Sequence, residues 1–409
     1  MSTKARSNAT ISCLCGSIQQ TVTLSHVDTD IVLCHCTSCR HLSGQLFTSC
    51  VALSSAPASV DGLTTYHSDP DHPNLETTSY YFCSTCGCHV FQRSSYYSDS
   101  DDDDNDDSYK EQPEWAVATG VITSSKKDNP SIKINWQHQK VDDTKDWGLS
   151  LWLPTIITST SDNNNQKATK ILHTITAPST NNTNGLDHVL HAACHCKRIS
   201  FSLSRPSEAS TLPHRGYPDV MYSYAVEPES VTSNPHDEKW WLRGPEPQCT
   251  SSSARTPPLD ENTKFTRYFT AACVCKSCRL ASGFEVQCWA FVPTCNIHFA
   301  SVVEGGRDFN TLPRGLLNRY ESSPGVWREF CPTCGATVFY HAEEAEDVID
   351  VSVGLFDSDK WDRGARVEDW LEWGRGRVSY AEGVREGRSG GMADWAERVL
   401  RGLEGGMRG

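Results

Sequence analysis

Cys34-His35-Cys36-Thr37-Ser38-Cys39-Arg40-His41-Leu42-Ser43-Gly44 returns later in the chain as Cys273-Val274-Cys275-Lys276-Ser277-Cys278-Arg279-Leu280-Ala281-Ser282-Gly283. A Cys-x-Cys pair precedes each copy, Cys13 with Cys15 and Cys194 with Cys196. A Cys-x-x-Cys-Gly pair follows each, Cys83 with Cys86 and Cys331 with Cys334. Seven cysteines per copy thus account for 14 of the 19 in the chain. Zinc sites that support structure take four ligands, whereas sites that do chemistry commonly keep three and leave a position open. Seven divides into four and three.

The early and late pairs suit a clamp that ties distant strands to one ion. That assigns Cys13, Cys15, Cys83 and Cys86 to one structural site, and Cys194, Cys196, Cys331 and Cys334 to its counterpart. Metal binding there is folding free energy. The triplets Cys34, Cys36, Cys39 and Cys273, Cys275, Cys278 are too compact to serve two ions, so each holds one and leaves its fourth position to water or substrate. Two zinc ions per repeat and four per chain are expected.

Comparing the copies sorts the other cysteines. Cys50 and Cys88 meet Trp289 and Ala336 at equivalent offsets, Cys249 falls in an insertion, and Cys288 and Cys295 have no exact partner. A shared eighth ligand is absent, although Cys50 stays open as a fourth ligand to Cys34, Cys36 and Cys39 in the first copy alone. Cys288 sits one residue off the position of Cys50, which turns it to the opposite face of its strand. Each triplet runs into a short helical turn stopped by Ser-Gly, where the backbone dipole favours thiolate. Arg40 and Arg279 either offset the net negative charge of three thiolates on a dication or face solvent. His35, replaced by Val274 in the second copy, reads as a packing or hydrogen-bonding residue rather than a base.

The formal charge of −14 argues against a nucleic-acid partner. Seven aspartates fall within residues 99–107, a solvated insert without the spacing of a calcium loop. No apolar stretch is long enough to span a membrane. Met1-Ser2-Thr3-Lys4-Ala5-Arg6 leads into polar residues instead of a signal-peptide core. A cytoplasmic or nuclear protein is expected, and in a reducing compartment such cysteine pairs are metal ligands rather than disulfides.

Short alternating segments such as Thr10–Val22 and Trp115–Ile122 predict an all-β architecture twice over, with short helical turns and long loop insertions. The first repeat spans residues 10–155 and a Ser/Thr/Asn-rich linker spans 156–187. The second repeat spans 188–385, with an insertion at about 205–262 that carries Trp240-Trp241. Residues 386–409 form a C-terminal tail in which Trp395–Leu400 suggests a short amphipathic helix between glycine-rich breaks.

The order Cys-x-Cys-Gly, Cys-His-Cys-x-x-Cys-Arg-x-x-Ser-Gly and Phe-Cys-x-x-Cys-Gly resembles the glutathione-dependent formaldehyde-activating enzyme family, also called the centromere-protein-V domain family. The residues that carry it are Cys13–Gly16, Cys34–Gly44 and Phe82–Gly87, then Cys194–Cys196, Cys273–Gly283 and Phe330–Gly335. Val353-Gly354-Leu355 and Trp370-Leu371-Glu372-Trp373 resemble the family's closing pattern. Lys197 stands where the first copy keeps Gly16. The resemblance implies two tandem β-tent domains, each with a four-cysteine structural zinc and a three-cysteine zinc where a thiol adduct is handled. It implies a zinc-dependent carbon–sulfur lyase acting on a thiol–aldehyde adduct such as S-hydroxymethylglutathione, with a small thiol as partner and both triplets at open sites. The other class to weigh is a non-catalytic tandem zinc scaffold that binds a protein partner, for instance through Trp240-Trp241.

Overall fold

The computed structural model describes residues 7–25, 30–68, 77–95, 114–123, 135–153, 189–229, 233–245, 265–299, 307–308, 315–357 and 363–409. The acidic run 99–107, the linker 156–187, Cys249 and residues 246–264 of the insertion lie outside them. The chain is mostly β-sheet, with three α-helices among the described residues.

Each repeat builds a small sheet and a large one. In the first, Ser7–Ser12 pairs with Gln19–Leu24 and Ile122–Thr123. Its large sheet runs Asn135–Gln139, Asp30–Cys34, Thr48–Ala52, Glu114–Ala118, His89–Ser95, Thr77–Cys83, Leu63–His67. The second repeats this order with Leu371–Trp373, Arg267–Cys273, Gln287–Pro293, Val348–Ser352, Thr337–Ala342, Val326–Phe330 and Asn318–Ser323. In both, the one parallel pair joins the strand that ends in the first triplet cysteine.

Alternation explains the small sheets: Val22 and Leu24, or Phe201 and Leu203, point inward while their neighbours do not. The large sheets differ. Thr48–Ala52 is only partly covered, whereas every residue of Arg267–Cys273 and Gln287–Pro293 is buried. Trp240 and Trp241, 3% and 0% exposed, help cover that sheet. The Trp240 ring lies 5.0 Å from that of Phe291 and its Nε1 donates to Gly216 O at 2.9 Å. The pair is core and offers no surface to a partner.

Helix α1 (Thr37–Ser43) and helix α2 (Lys276–Ser282) each follow a triplet's middle cysteine, whose sulfur caps the first turn. Each ends at a left-handed glycine, Gly44 (φ 78°) and Gly283 (φ 87°). The third helix, α3 (Gly390–Arg408), spans 19 residues, well beyond the short segment its apolar residues suggest. Two of its glycines, Gly402 and Gly406, are sites of close approach rather than breaks. A side chain at Gly406 would run into the backbone of Trp152, and one at Gly402 would press on Leu153. Met392, Trp395, Ala396, Val399, Leu403 and Met407 form the buried stripe. Helix α3 therefore follows the second repeat in sequence and packs on the first.

The two repeats meet across an approximate internal two-fold. Gly354 N–H donates to Gly44 O at 3.1 Å, and Gly120 N–H donates to Gly283 O at 2.8 Å. The Phe82 ring lies where a side chain on Gly335 would be, and the Phe330 ring where one on Gly87 would be. Tyr66 Oη meets His195 Nδ1 at 2.7 Å, and His195 N–H donates to His41 O at 3.0 Å. Buried Arg388 pairs with Glu285 at 2.6 Å and donates to Thr119 O at 3.2 Å. The glycine and phenylalanine contacts are reciprocal, the self-complementary pattern of a two-fold interface built within one chain, and the histidine and arginine contacts add to it on one side only.

Gly120 lies outside the left-handed region, so alanine there tests the close approach alone. Gly120→Ala should destabilise the protein by about 1–3 kcal/mol in chemical denaturation, the usual cost of overpacking. Gly376→Ala, with open space around it, should stay close to wild type.

Candidate metal centres

Each Cys-x-Cys occupies a tight turn between two antiparallel strands. Gly16 N–H closes the first turn on Cys13 O at 3.2 Å, and Lys197 N–H closes the second on Cys194 O at 2.9 Å. Lys197 adopts φ 59°, the left-handed conformation that Gly16 holds at 76°. The Cys-x-x-Cys-Gly turns close in the same way, Gly87 on Cys83 at 2.9 Å and Gly335 on Cys331 at 3.0 Å.

These turns converge. The sulfurs of Cys13, Cys15, Cys83 and Cys86 lie within 4.8 Å of one another, as do those of Cys194, Cys196, Cys331 and Cys334. Individual Sγ···Sγ separations are 3.4 Å for Cys13–Cys15 and 3.6 Å for Cys15–Cys83. In the second copy they are 3.5 Å for Cys194–Cys196, 3.7 Å for Cys194–Cys331 and 3.5 Å for Cys196–Cys331. Backbone N–H groups of Ile18 and Ile199 donate to the first sulfur of each group, at 3.4 and 3.3 Å. No disulfide joins any described cysteine.

The triplets form two further groups on the same criterion, Cys34 with Cys36 and Cys39, and Cys273 with Cys275 and Cys278. The middle sulfur caps each helix: Cys39 N–H reaches Cys36 Sγ at 3.3 Å and Cys278 N–H reaches Cys275 Sγ at 3.2 Å. Hydrogen bonds from Cys34 and Cys39 hold the Cys36 thiol down at about 2, the lowest of its group. In the second triplet that place goes to Cys278, held well below the usual thiol range by hydrogen bonds from Cys273 and Cys275. All four groups could hold a metal ion.

Cys50 does not join the first triplet; burial pushes its thiol up to about 12 and its sulfur lies 3.8 Å from Gln92 Oε1. Cys288 turns into the core, as strand parity requires, while Trp289 packs with Cys273 and Cys278. Neither arginine faces solvent: Arg40 and Arg279 are both buried, and Arg279 donates to Gly120 O across the two-fold. His35 Nε2 meets His138 Nδ1 at 2.9 Å, and His138 Nε2 donates to Leu153 O at 2.6 Å. Burial pushes His35 down to about 3 and keeps it neutral. It anchors a strand pair.

Sequence comparison around the cysteines alone misses the side chains that face the triplets. Tyr80 stands three residues before Cys83 and opposite Gln92, and both share the face of the first triplet with Cys50. The equivalent strand positions in the second copy hold Arg328, Tyr340 and Trp289. The Phe-Cys-x-x-Cys-Gly motif could have located Tyr80 and Arg328 by counting back three residues. Only the pairing of strands shows what they face.

A seven-cysteine framework on paired β-sheets, repeated within one chain, defines a class of cysteine-rich β-protein whose sulfur groups could hold metal. A family model described as glutathione-dependent formaldehyde-activating enzyme matches residues 8–137 and 261–372, more than half of the chain, and the chain belongs to that family, with two such domains in tandem. The second match opens after the insertion, so Cys194 and Cys196 lie outside it although the fold brings them to Cys331 and Cys334. Searches of curated proteins and of solved structures returned no match.

Metal analysis of protein purified without chelator should give about four ions per chain, one for each cysteine group. A value near two would confine metal to the four-cysteine groups. Cys13→Ser should remove about one ion and lower the unfolding temperature sharply, since that ion contributes directly to folding.

Proposed function

We propose that the chain is a zinc-dependent carbon–sulfur lyase of thiol–aldehyde adducts, with S-hydroxymethylglutathione as the type of substrate. Four sulfurs each about 2.3 Å from a tetrahedral zinc lie about 3.8 Å apart. The separations of 3.4–3.7 Å in the clamps, and 3.6 Å between Cys34 and Cys36, suit that ion and are far too long for disulfides. Cys13, Cys15, Cys83 and Cys86 would hold one structural zinc, and Cys194, Cys196, Cys331 and Cys334 another. Cys34, Cys36 and Cys39 would hold a third, as would Cys273, Cys275 and Cys278 a fourth. The observation that carries the function is the three-sulfur group itself: Cys34, Cys36 and Cys39 remain partly exposed, and among the described residues no fourth cysteine joins them within 4.8 Å, Cys50 lying on the same face but outside the group.

Bound there, zinc supplies Lewis acidity that stabilises a thiolate and polarises an oxygen. The protein's part is positioning. The three cysteines fix the ion at the start of α1, where the helix end favours their negative charge. Burial, then the charges of Cys39 and Cys36, push the Tyr80 phenol up and keep it a donor. Tyr80 then suits the oxygen of a hydroxymethyl or carbonyl group. In the lyase direction the hydroxyl proton leaves, the C–S bond breaks, formaldehyde departs and the sulfur takes up a proton. Synthesis is the reverse, and neither direction needs an oxidant or reductant.

Two-dimensional exchange NMR on glutathione and labelled formaldehyde tests this directly. The protein should speed adduct exchange well above buffer; no acceleration across several thiols and aldehydes would sink the proposal and favour a scaffold. Cys36→Ser should lower the rate by ~100-fold or more while the fold persists. Tyr80→Phe should cost ~10-fold or more with the metal content unchanged, as loss of one well-placed donor does.

A further inference from the structure

The two triplets share their spacing and differ in almost everything that faces them. Trp289 replaces Cys50, Arg328 replaces Tyr80 and Tyr340 replaces Gln92. One strand further on, Asp350 replaces Ala116. Every exchange is from a smaller or neutral side chain to one that is larger, charged or both.

Arg328 is the centre of this change. It is 4% exposed, and both of its terminal nitrogens lie 3.6 Å from Cys278 Sγ. Nη2 also donates to Ser277 Oγ at 2.9 Å. The guanidinium stacks over Tyr340 at 4.9 Å, and the Tyr340 ring lies 6.1 Å from that of Trp289. A guanidinium is always charged and cannot ligate a metal. Buried without an anion it would cost several kcal/mol, and Cys278 is the sulfur that receives it.

Later segments complete the cover. From the insertion, Arg215 lies 3.7 Å from Asp350 and donates to Val348 O. Near the C-terminus, Ser379 O accepts from Val274 N–H at 3.2 Å. Cys273 and Cys278 are each 5% exposed and only Cys275 of that triplet is partly open, whereas Cys34, Cys36 and Cys39 all remain partly open.

We propose that the second triplet is a closed metal centre, sealed by Arg328, Tyr340 and Trp289 and neutralised by the arginine, and that an external thiol reaches metal only at the first triplet. This rests on the metal-bearing part of the function proposed above, and not on the lyase chemistry. The chain would then be an asymmetric pair, with one working repeat braced by a structural one.

Cobalt(II) in place of zinc in the full-length protein gives an optical readout at each site, with 2-mercaptoethanol as the probe thiol. Titration should perturb the visible bands of one cobalt per chain. Cys36→Ser should bind one ion fewer and lose that response, while Cys275→Ser should bind one ion fewer and keep it. A response that persists in Cys36→Ser, a second responding site in wild type, or no response in wild type overturns the asymmetry. A single responding site in a protein that does not accelerate adduct exchange upholds the closed centre and sinks the lyase. Arg328→Met keeps every sulfur, so it serves if the cysteine variants fail to fold. It should speed chelator removal of one ion by ~10-fold, the usual effect of losing a partner of a metal ligand, while Tyr80→Phe should not. An unchanged rate in Arg328→Met overturns the neutralising role.

Discussion

The convergence of two tight turns on one cluster of sulfurs is the constraint on which the rest of each repeat depends. Cys13 and Cys15 lie in a turn of the small sheet, Cys83 and Cys86 in a turn of the large one. A shared ion there would fix the angle between the two sheets, and so the edge along which Cys34, Cys36 and Cys39 emerge. The same geometry recurs with Cys194, Cys196, Cys331 and Cys334.

The internal two-fold then joins the repeats through positions that tolerate no side chain. Gly120 and Gly354 bring short 3₁₀ turns against the ends of α2 and α1, directly behind the triplets. Each repeat thus buttresses the helix that carries the other's cysteine caps. Helix α3 adds an asymmetric strap, since it leaves the second repeat to pack against Trp152 and Leu153 of the first. Duplicated sequence therefore does not give duplicated surroundings: the insertion covers the second sheet, and among the described residues the first is less fully buried.

Much of this was legible from cysteine spacing. The division into clamp and triplet follows from short-range stereochemistry, because Cys-x-Cys and Cys-x-x-Cys turns present sulfurs to one point whatever lies around them. Strand parity placed Cys288 in the core. Lys197 departs from glycine and still takes the left-handed turn, so the chain path there is set by the cluster rather than by residue preference. The length of α3 was not legible, because glycines read locally as breaks while their cause here is the proximity of another segment. Trp240-Trp241 likewise reads equally as surface or core until its strand partners are known.

By itself the sequence determined the family, the repeat, the two kinds of cysteine group and their membership, since all of these are fixed by neighbours a few residues apart or by the recurrence of one pattern. Only the tertiary structure decided what faces each triplet. Tyr80 and Arg328 hold equivalent positions three residues before a cysteine, yet one borders a partly open group of sulfurs and the other lies on a buried sulfur. That difference arises where strands distant in sequence pair, and where, among the described residues, an insertion and a C-terminal segment cover one sheet more fully than the other.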